Sequence, residues 1–170
     1  MSGSFVDANV FIYALDPRDA RKHQRARGWI DALWAQHLGR TSAQVIAEAY
    51  AVCTRKIGVA PHTAWAELER FFVWNPQIVD EALLRRAREI EMRYKLSWWD
   101  SMIVAAAQLQ GCVLLLTEDL QDGAVFGAVT ARSPFTLEVR EAVAEYAVET
   151  RGPPLHRPRG RPRRVVASAA

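Results

Sequence analysis

The chain has 170 residues, half of them hydrophobic and 24% charged. That suits a single soluble domain with a real core and little left over. No apolar run approaches the roughly 20 residues a membrane helix needs. The N-terminus also lacks the basic start and apolar core of a signal peptide, so a cytoplasmic protein is expected. The formal net charge of +3 hides an asymmetry, because Arg151, Arg157, Arg159, Arg161, Arg163 and Arg164 all fall in the last twenty residues, with no acid among them. Setting these six aside from the 22 Lys+Arg leaves 16 against 19 Asp+Glu in residues 1–150. The body is mildly acidic, and any long-range pull on nucleic acid belongs to the tail.

Residues 4–7 form a short strand candidate that ends on an acid. Residues 20–38 read as a helix, with Ala26, Trp29, Ile30, Leu33 and Trp34 along one face. Residues 40–42 make a very short strand or a turn. A helix over 43–56 carries Val45, Ile46, Ala49, Val52 and Cys53 on one stripe and closes at Gly58. A further helix spans 61–74, with Pro61 suited to its first turn. Residues 76–79 are a short strand or a loop. Asp80 then caps a helix bearing Leu83, Ala87, Ile90 and Tyr94 on one side. Residues 97–110 form a helix of small and apolar residues that Gly111 ends. The apolar run 112–116 is a strand buried on both faces. After a loop at 118–123, residues 124–130 supply the last strand, and 137–149 one more helix. Residues 150–170 are Pro/Arg-rich without apolar periodicity and are expected to be disordered. Cys53 and Cys112 lie in these apolar runs as buried thiols, and no metal-type Cys/His spacing exists.

Strands alternating with helices indicate an α/β sandwich with a mainly parallel sheet. Ligands of such folds sit beyond the carboxyl ends of the strands. Asp7 and Asp119 directly follow strand candidates and so belong at that rim. Glu48 lies at the edge of an apolar helical stripe, roughly 60° from Val45. Asp100 opens a helix whose next two turns are small and apolar, so the helix is expected to be buried and this acid to point into a crowded place. Each acid has a plain structural explanation: a helix cap for Asp7, a solvated boundary for Glu48, a capping box with Ser97 for Asp100, a polar turn for Asp119. Together they are more telling. Clustered carboxylates raise each other's pKa, and a divalent cation removes that cost. An oxygen-only set selects Mg²⁺ or Mn²⁺ over zinc. Such a centre suits phosphate-ester hydrolysis.

Four stretches carry a family resemblance: FVDANVFIYALD at 5–16, SAQVIAE at 42–48, LSWWDSMIVAAA at 96–107 and LLTEDLQDG at 115–123. The chain closes this region with ARSPF at 131–135, similar to a terminal Asn-Pro-Phe element with Ser133 in the Asn place. In this order they resemble the PIN-domain ribonucleases, and within them the VapC-type toxins of toxin–antitoxin systems. The resemblance implies a three-layer sandwich and an acidic metal site of Asp7, Glu48, Asp100 and Asp119. It adds Asp122, a less constant acidic position, as a candidate second-metal ligand or outer support of the metal site, and Asn9 and Thr117 as polar supports of the first and fourth acids. It further implies Mg²⁺ with Mn²⁺ substituting, an RNA substrate, a homodimer, and an inhibitory antitoxin protein. On this reading residues 1–138 are the nuclease domain, 139–149 an extra helix and 150–170 a basic tail beyond the family's usual end.

Two other readings stand beside it. One keeps the fold and makes the protein a housekeeping RNA-processing nuclease. The other makes the acids caps and turns and the protein a nucleic-acid-binding module acting through its arginines. A phosphorylated receiver domain is disfavoured, because it needs paired acids after the first strand and a lysine near the last. Arg18, Arg21, Lys22, Arg55 and Lys56 are candidate cations for holding RNA. His23 is expected to be structural. Trp29, Trp34, Trp65, Phe71, Phe72 and Trp74 are expected in the core, with some exposed as a protein-contact surface.

Overall fold

The computed structural model describes residues 3–142. Five short strands form one sheet in the order β2-β1-β3-β5-β4: β1 Ser4–Val6, β2 Gly39–Arg40, β3 Leu114–Leu116, β4 Val125–Phe126 and β5 Val129–Arg132. β1 pairs in parallel with β2 and β3, and β3 in parallel with β5. Phe5, Val6, Leu114, Leu115 and Leu116 are almost wholly buried, as strands covered on both faces must be. The expected single strand over 124–130 is instead an antiparallel pair, β4 and β5. Gly127, at φ 65°, makes the reversal between them, a conformation that glycine adopts without steric cost.

Among the described residues six α-helices surround the sheet: α1 Ala8–Leu15, α2 Ala20–Ala35, α3 Ala43–Val52, α4 Pro61–Leu68, α5 Glu81–Tyr94 and α6 Trp98–Leu109. α1 packs on α2 and α3, while α5 packs on α6, which in turn meets β3 and β5. The sheet is thus the middle of a three-layer α/β sandwich. Five helices start on side-chain caps, with Asp7, Asp19, Ser42, Asp80 and Ser97 each accepting a backbone N–H from the first turn, as short polar residues at these positions do.

Two helices differ from the sequence expectation. The helix over 43–56 is α-helical only to Val52 and continues as a π-helical turn, Cys53–Ile57, before Gly58 stops it at φ 86°. The helix over 61–74 tightens after Leu68 into a 3₁₀ stretch, Glu69–Trp74. That tighter winding seats Phe71 and Trp74 in one aromatic cluster with Phe11 and Trp34. Of the expected core aromatics, Trp29, Phe71 and Trp74 are buried and Trp34 is partly buried, whereas Trp65 and Phe72 are about half exposed. Residues 139–142 are helical; the rest of the expected 137–149 helix and the basic tail lie outside the described residues. Among the described residues no helix is long and apolar enough to cross a membrane.

Candidate active site

The strand ends bring the first two site residues together. Val6 pairs with Leu116, so the next residues of the two strands, Asp7 and Thr117, emerge side by side at the carboxyl edge of the sheet. The Asp7 N–H donates to the Leu116 carbonyl at 3.1 Å. Asp7 then turns the chain into α1: its Oδ1 accepts the Ala8 N–H at 2.7 Å. Its Oδ2 accepts the Thr117 hydroxyl, also at 2.7 Å. Asp7 is only 6% exposed. Burial pushes its carboxyl up to about 6; the bonds from Thr117 and Ala8 pull it down, and the carboxylates of Asp119 and Glu48 push it up. No cation acts among these causes.

Thr117 also orders the following loop. Its hydroxyl oxygen accepts the N–H of Asp119 at 3.1 Å. The Asn9 amide, one residue into α1, donates to Asp119 Oδ2 at 3.2 Å and to Thr117 Oγ1 at 3.4 Å. Asn9 Oδ1 is buried and has no partner. Asp7, Asn9, Thr117 and Asp119 therefore form one hydrogen-bonded group built from two adjacent strand exits.

The other two acids arrive on helices. Thr41, just after β2, is wholly buried and donates its hydroxyl to the Val6 carbonyl at 3.1 Å, which ties the start of α3 to the end of β1. Glu48 stands on the exposed side of α3. Burial raises its carboxyl first, Asp119 and Asp100 raise it further, and Lys56 pulls it down. α6 precedes β3 and runs back against it, so its first turn lies at the same sheet edge. There Ser97 Oγ accepts the Asp100 N–H at 3.1 Å, the N-cap half of a capping box, and donates to Asp100 Oδ2 at 2.7 Å, so the carboxylate returns to the Ser97 hydroxyl rather than to its backbone N–H. Ser101–Ala107 are buried as expected, but Asp100 itself is half-exposed. Its bonds to the Ser97 hydroxyl hold it at the exposed start of α6, not in the crowded place expected.

The structure thus brings Asp7, Glu48, Asp100 and Asp119 within one electrostatic neighbourhood. They do not close into a cage: among the described residues no three His, Cys, Asp or Glu side chains converge as a metal site does. The donor set nonetheless fits a hard divalent ion. All its ligand atoms are oxygen, Asp7 is buried with only neutral donors, and the one orphaned side-chain oxygen nearby belongs to Asn9.

Asp122 stands apart. Its Oδ1 accepts the Ser133 N–H at 2.7 Å and Arg132 Nε at 3.2 Å, so it pins the loop to the end of β5. It is absent from the charges that act on Asp7 and Glu48.

Some supports escaped sequence reasoning. Lys22 on α2 pairs with Glu118 at 2.6 Å and Tyr13 Oη at 3.1 Å, and lies over the Tyr13 and Phe135 rings. It fastens the loop residue beside Asp119. Asp16 is buried, and the Arg18 guanidinium grips both its oxygens at 2.8 Å, which holds its carboxyl below the usual range. Among the suggested RNA-holding cations, Arg18 and Lys22 are therefore committed to internal pairs. Arg21, Arg55 and Lys56 form no ion pair among the described residues. His23 takes the structural part expected of it, bonding the Tyr13 carbonyl at 2.9 Å. Burial pushes the thiols of Cys53 and Cys112 up to about 11 and about 12, which leaves them inert at neutral pH.

This sandwich, with its acids at the carboxyl edge of a parallel sheet, defines a class. The PIN-domain family model matches residues 4–121, well over half of the chain, and the protein belongs to that family. Among solved structures it is similar to the toxin VapC20 of Mycobacterium tuberculosis, described as cleaving the sarcin–ricin loop, with 22% identity and a TM-score of 0.53. That similarity covers 69% of this chain and 90% of VapC20, and it concerns the fold. No curated protein matches the chain.

Proposed function

We propose that this protein is a Mg²⁺-dependent endoribonuclease and the toxin half of a toxin–antitoxin pair. One observation carries the chemistry: Asp7, Glu48, Asp100 and Asp119 come from four separate segments yet act on one another through their charges, and the most buried of them, Asp7, has no lysine or arginine partner among the described residues. Carboxylates placed so are costly unless a cation joins them. Membership of the PIN family and the likeness to a ribonuclease toxin support the same reading.

In this proposal Asp7 and Asp100 hold the cation directly, and Glu48 and Asp119 complete its shell directly or through water, with Mn²⁺ able to substitute. Bound there, the ion would acidify a water and offset charge on the phosphate under attack. The protein's own part is positioning. Thr117 and Ala8 donate to both Asp7 oxygens and so favour its ionised form. Asn9 aims Asp119, and Ser97 fixes Asp100 in the first turn of α6. Hydrolysis then leaves a 5′-phosphate and a 3′-hydroxyl. Asp122 serves to brace the loop.

The partners proposed are RNA, a small antitoxin protein and a second copy of the chain. Exposed apolar side chains support a protein partner: Trp65 and Phe72 touch each other and, through Trp65, Tyr50, with Val73, Ile78 and Val79 also exposed. Residues 1–138 are taken as the nuclease domain, with the later residues an addition to it.

Asp7→Asn and Asp100→Asn keep side-chain shape and remove charge. Each is expected to slow cleavage of an oligoribonucleotide in Mg²⁺ by at least about 10²-fold, as other electrostatic deletions do. Calorimetric titration of the wild type with Mn²⁺ should saturate, and Asp7→Asn should abolish that saturation. Full cleavage by both variants, or an unsaturable titration, refutes the assignment.

A further inference from the structure

The acids account for the chemistry of the rim but not for how a polyanion stays on an acidic surface. Two side chains at the edge of the acid group have no structural employment. Trp99 sits between the core-packed Trp98 and Asp100 in the first turn of α6, and it is 64% exposed. It has no ring contact, ion pair or hydrogen bond among the described residues. The other aromatic side chains that are strongly exposed, Trp65 and Phe72, contact each other. The Trp99 indole is thus solvent-facing and unpartnered, one position before a proposed catalytic acid.

Lys56 is the second. The π-helical turn Cys53–Ile57 extends α3 beyond Val52 and carries Lys56 in its last turn. Lys56 is exposed and forms no ion pair among the described residues, and it lies on the same continuous helical run as Glu48, whose carboxyl it pulls down. Of the other candidate cations, Arg18 is taken by Asp16 and Lys22 by Glu118.

We infer that Trp99 is a stacking platform for an unpaired base of the RNA, and that Lys56 holds a phosphate of the same strand beside the acids. Every base has a π-face, so an exposed indole binds single-stranded RNA with little sequence preference. A lysine adds a point charge for a backbone phosphate. This inference rests on the nuclease proposal and assigns how that site grips its substrate.

The test is fluorescence anisotropy of a labelled single-stranded oligoribonucleotide, titrated with the full chain in Ca²⁺ at several salt concentrations. Trp99→Ala is expected to weaken binding roughly 5- to 150-fold, the range measured for loss of one aromatic–base stack, with the salt slope unchanged. Trp99→Phe should restore most of the affinity. Lys56→Met should instead flatten the salt dependence by about one phosphate contact. Thermal melts of each variant establish that it folds. If wild type binds and Trp99→Ala binds equally well, the platform is refuted while the nuclease proposal stands. The same holds if Trp99→Ala changes only the sedimentation state, which would make Trp99 a protein-contact residue. If wild type binds no RNA at all, the nuclease proposal itself fails.

Discussion

At the scale of single residues, Asp7 is the most perturbed member of the site. Its carboxyl sits at about 6 against an ordinary 3.8, chiefly because it is buried. The direction sets a pH dependence. The folded protein keeps a proton on Asp7 that the unfolded chain releases earlier, so metal-free stability falls as pH rises from about 4 to about 6 and then levels. The shift corresponds to about 3 kcal/mol at most. Asp7→Asn cannot ionise and should lack this fall. Urea unfolding of both proteins in chelator from pH 4 to 7 measures it, and parallel curves would contradict the buried, cation-free Asp7 described here. A saturating divalent ion should reverse the wild-type loss, because it binds the ionised native form.

At the scale of elements, the site depends on how tightly β2 is held, since Thr41 at its exit bonds Val6 and leads into the helix of Glu48. Gly39 within β2 permits that packing. A Cβ there would lie 2.4 Å from Trp74 Cζ2 and 2.5 Å from Cε2, and Trp74 is wedged among Phe11, Trp34 and Phe71. Gly39→Ala is expected to destabilise the protein by about 1–3 kcal/mol, the usual cost of overpacking. A lowered urea midpoint with an unchanged slope would show it. The same element explains a limit of sequence reading. Residues 40–42 looked like a turn or a very short strand, and at two residues β2 has no periodicity to read. Only the indole above it and the parallel partner β1 define it. The switch to π-helix at Cys53 and to 3₁₀ at Glu69 was equally invisible, because apolar spacing in these windows matches an α-helix to within a residue.

At the scale of the whole molecule, charge is divided between an acidic body and a basic tail. A nuclease whose active rim is itself acidic gains affinity from cations placed elsewhere, and counterion release makes that gain salt-dependent. Truncation after Gly152 removes Arg157, Arg159, Arg161, Arg163 and Arg164 and is expected to flatten the salt dependence of RNA binding while leaving the melting temperature nearly unchanged. An unchanged slope would remove the tail from RNA recognition.

Much of the fold was legible residue by residue. The apolar run ending at Leu116, the caps Ser42, Asp80 and Ser97, and the stops Gly58 and Gly111 all act locally, through side-chain hydrogen bonds and backbone sterics that sequence neighbours determine. The candidate acids were also visible, because Asp7, Asp100 and Asp119 sit at element ends and Glu48 at the edge of an apolar helical stripe. What chain order could not supply was their relation to one another. Asp7 meets Thr117 across 110 positions because β1 and β3 are parallel neighbours in one register. Asn9 reaches Asp119, Lys22 clamps Glu118, and Asp122 turns away to Ser133 and Arg132 for the same kind of reason. Local preference writes the elements, but sheet order and register are decided by burial of both sheet faces at once. Only that packing makes scattered carboxylates into neighbours.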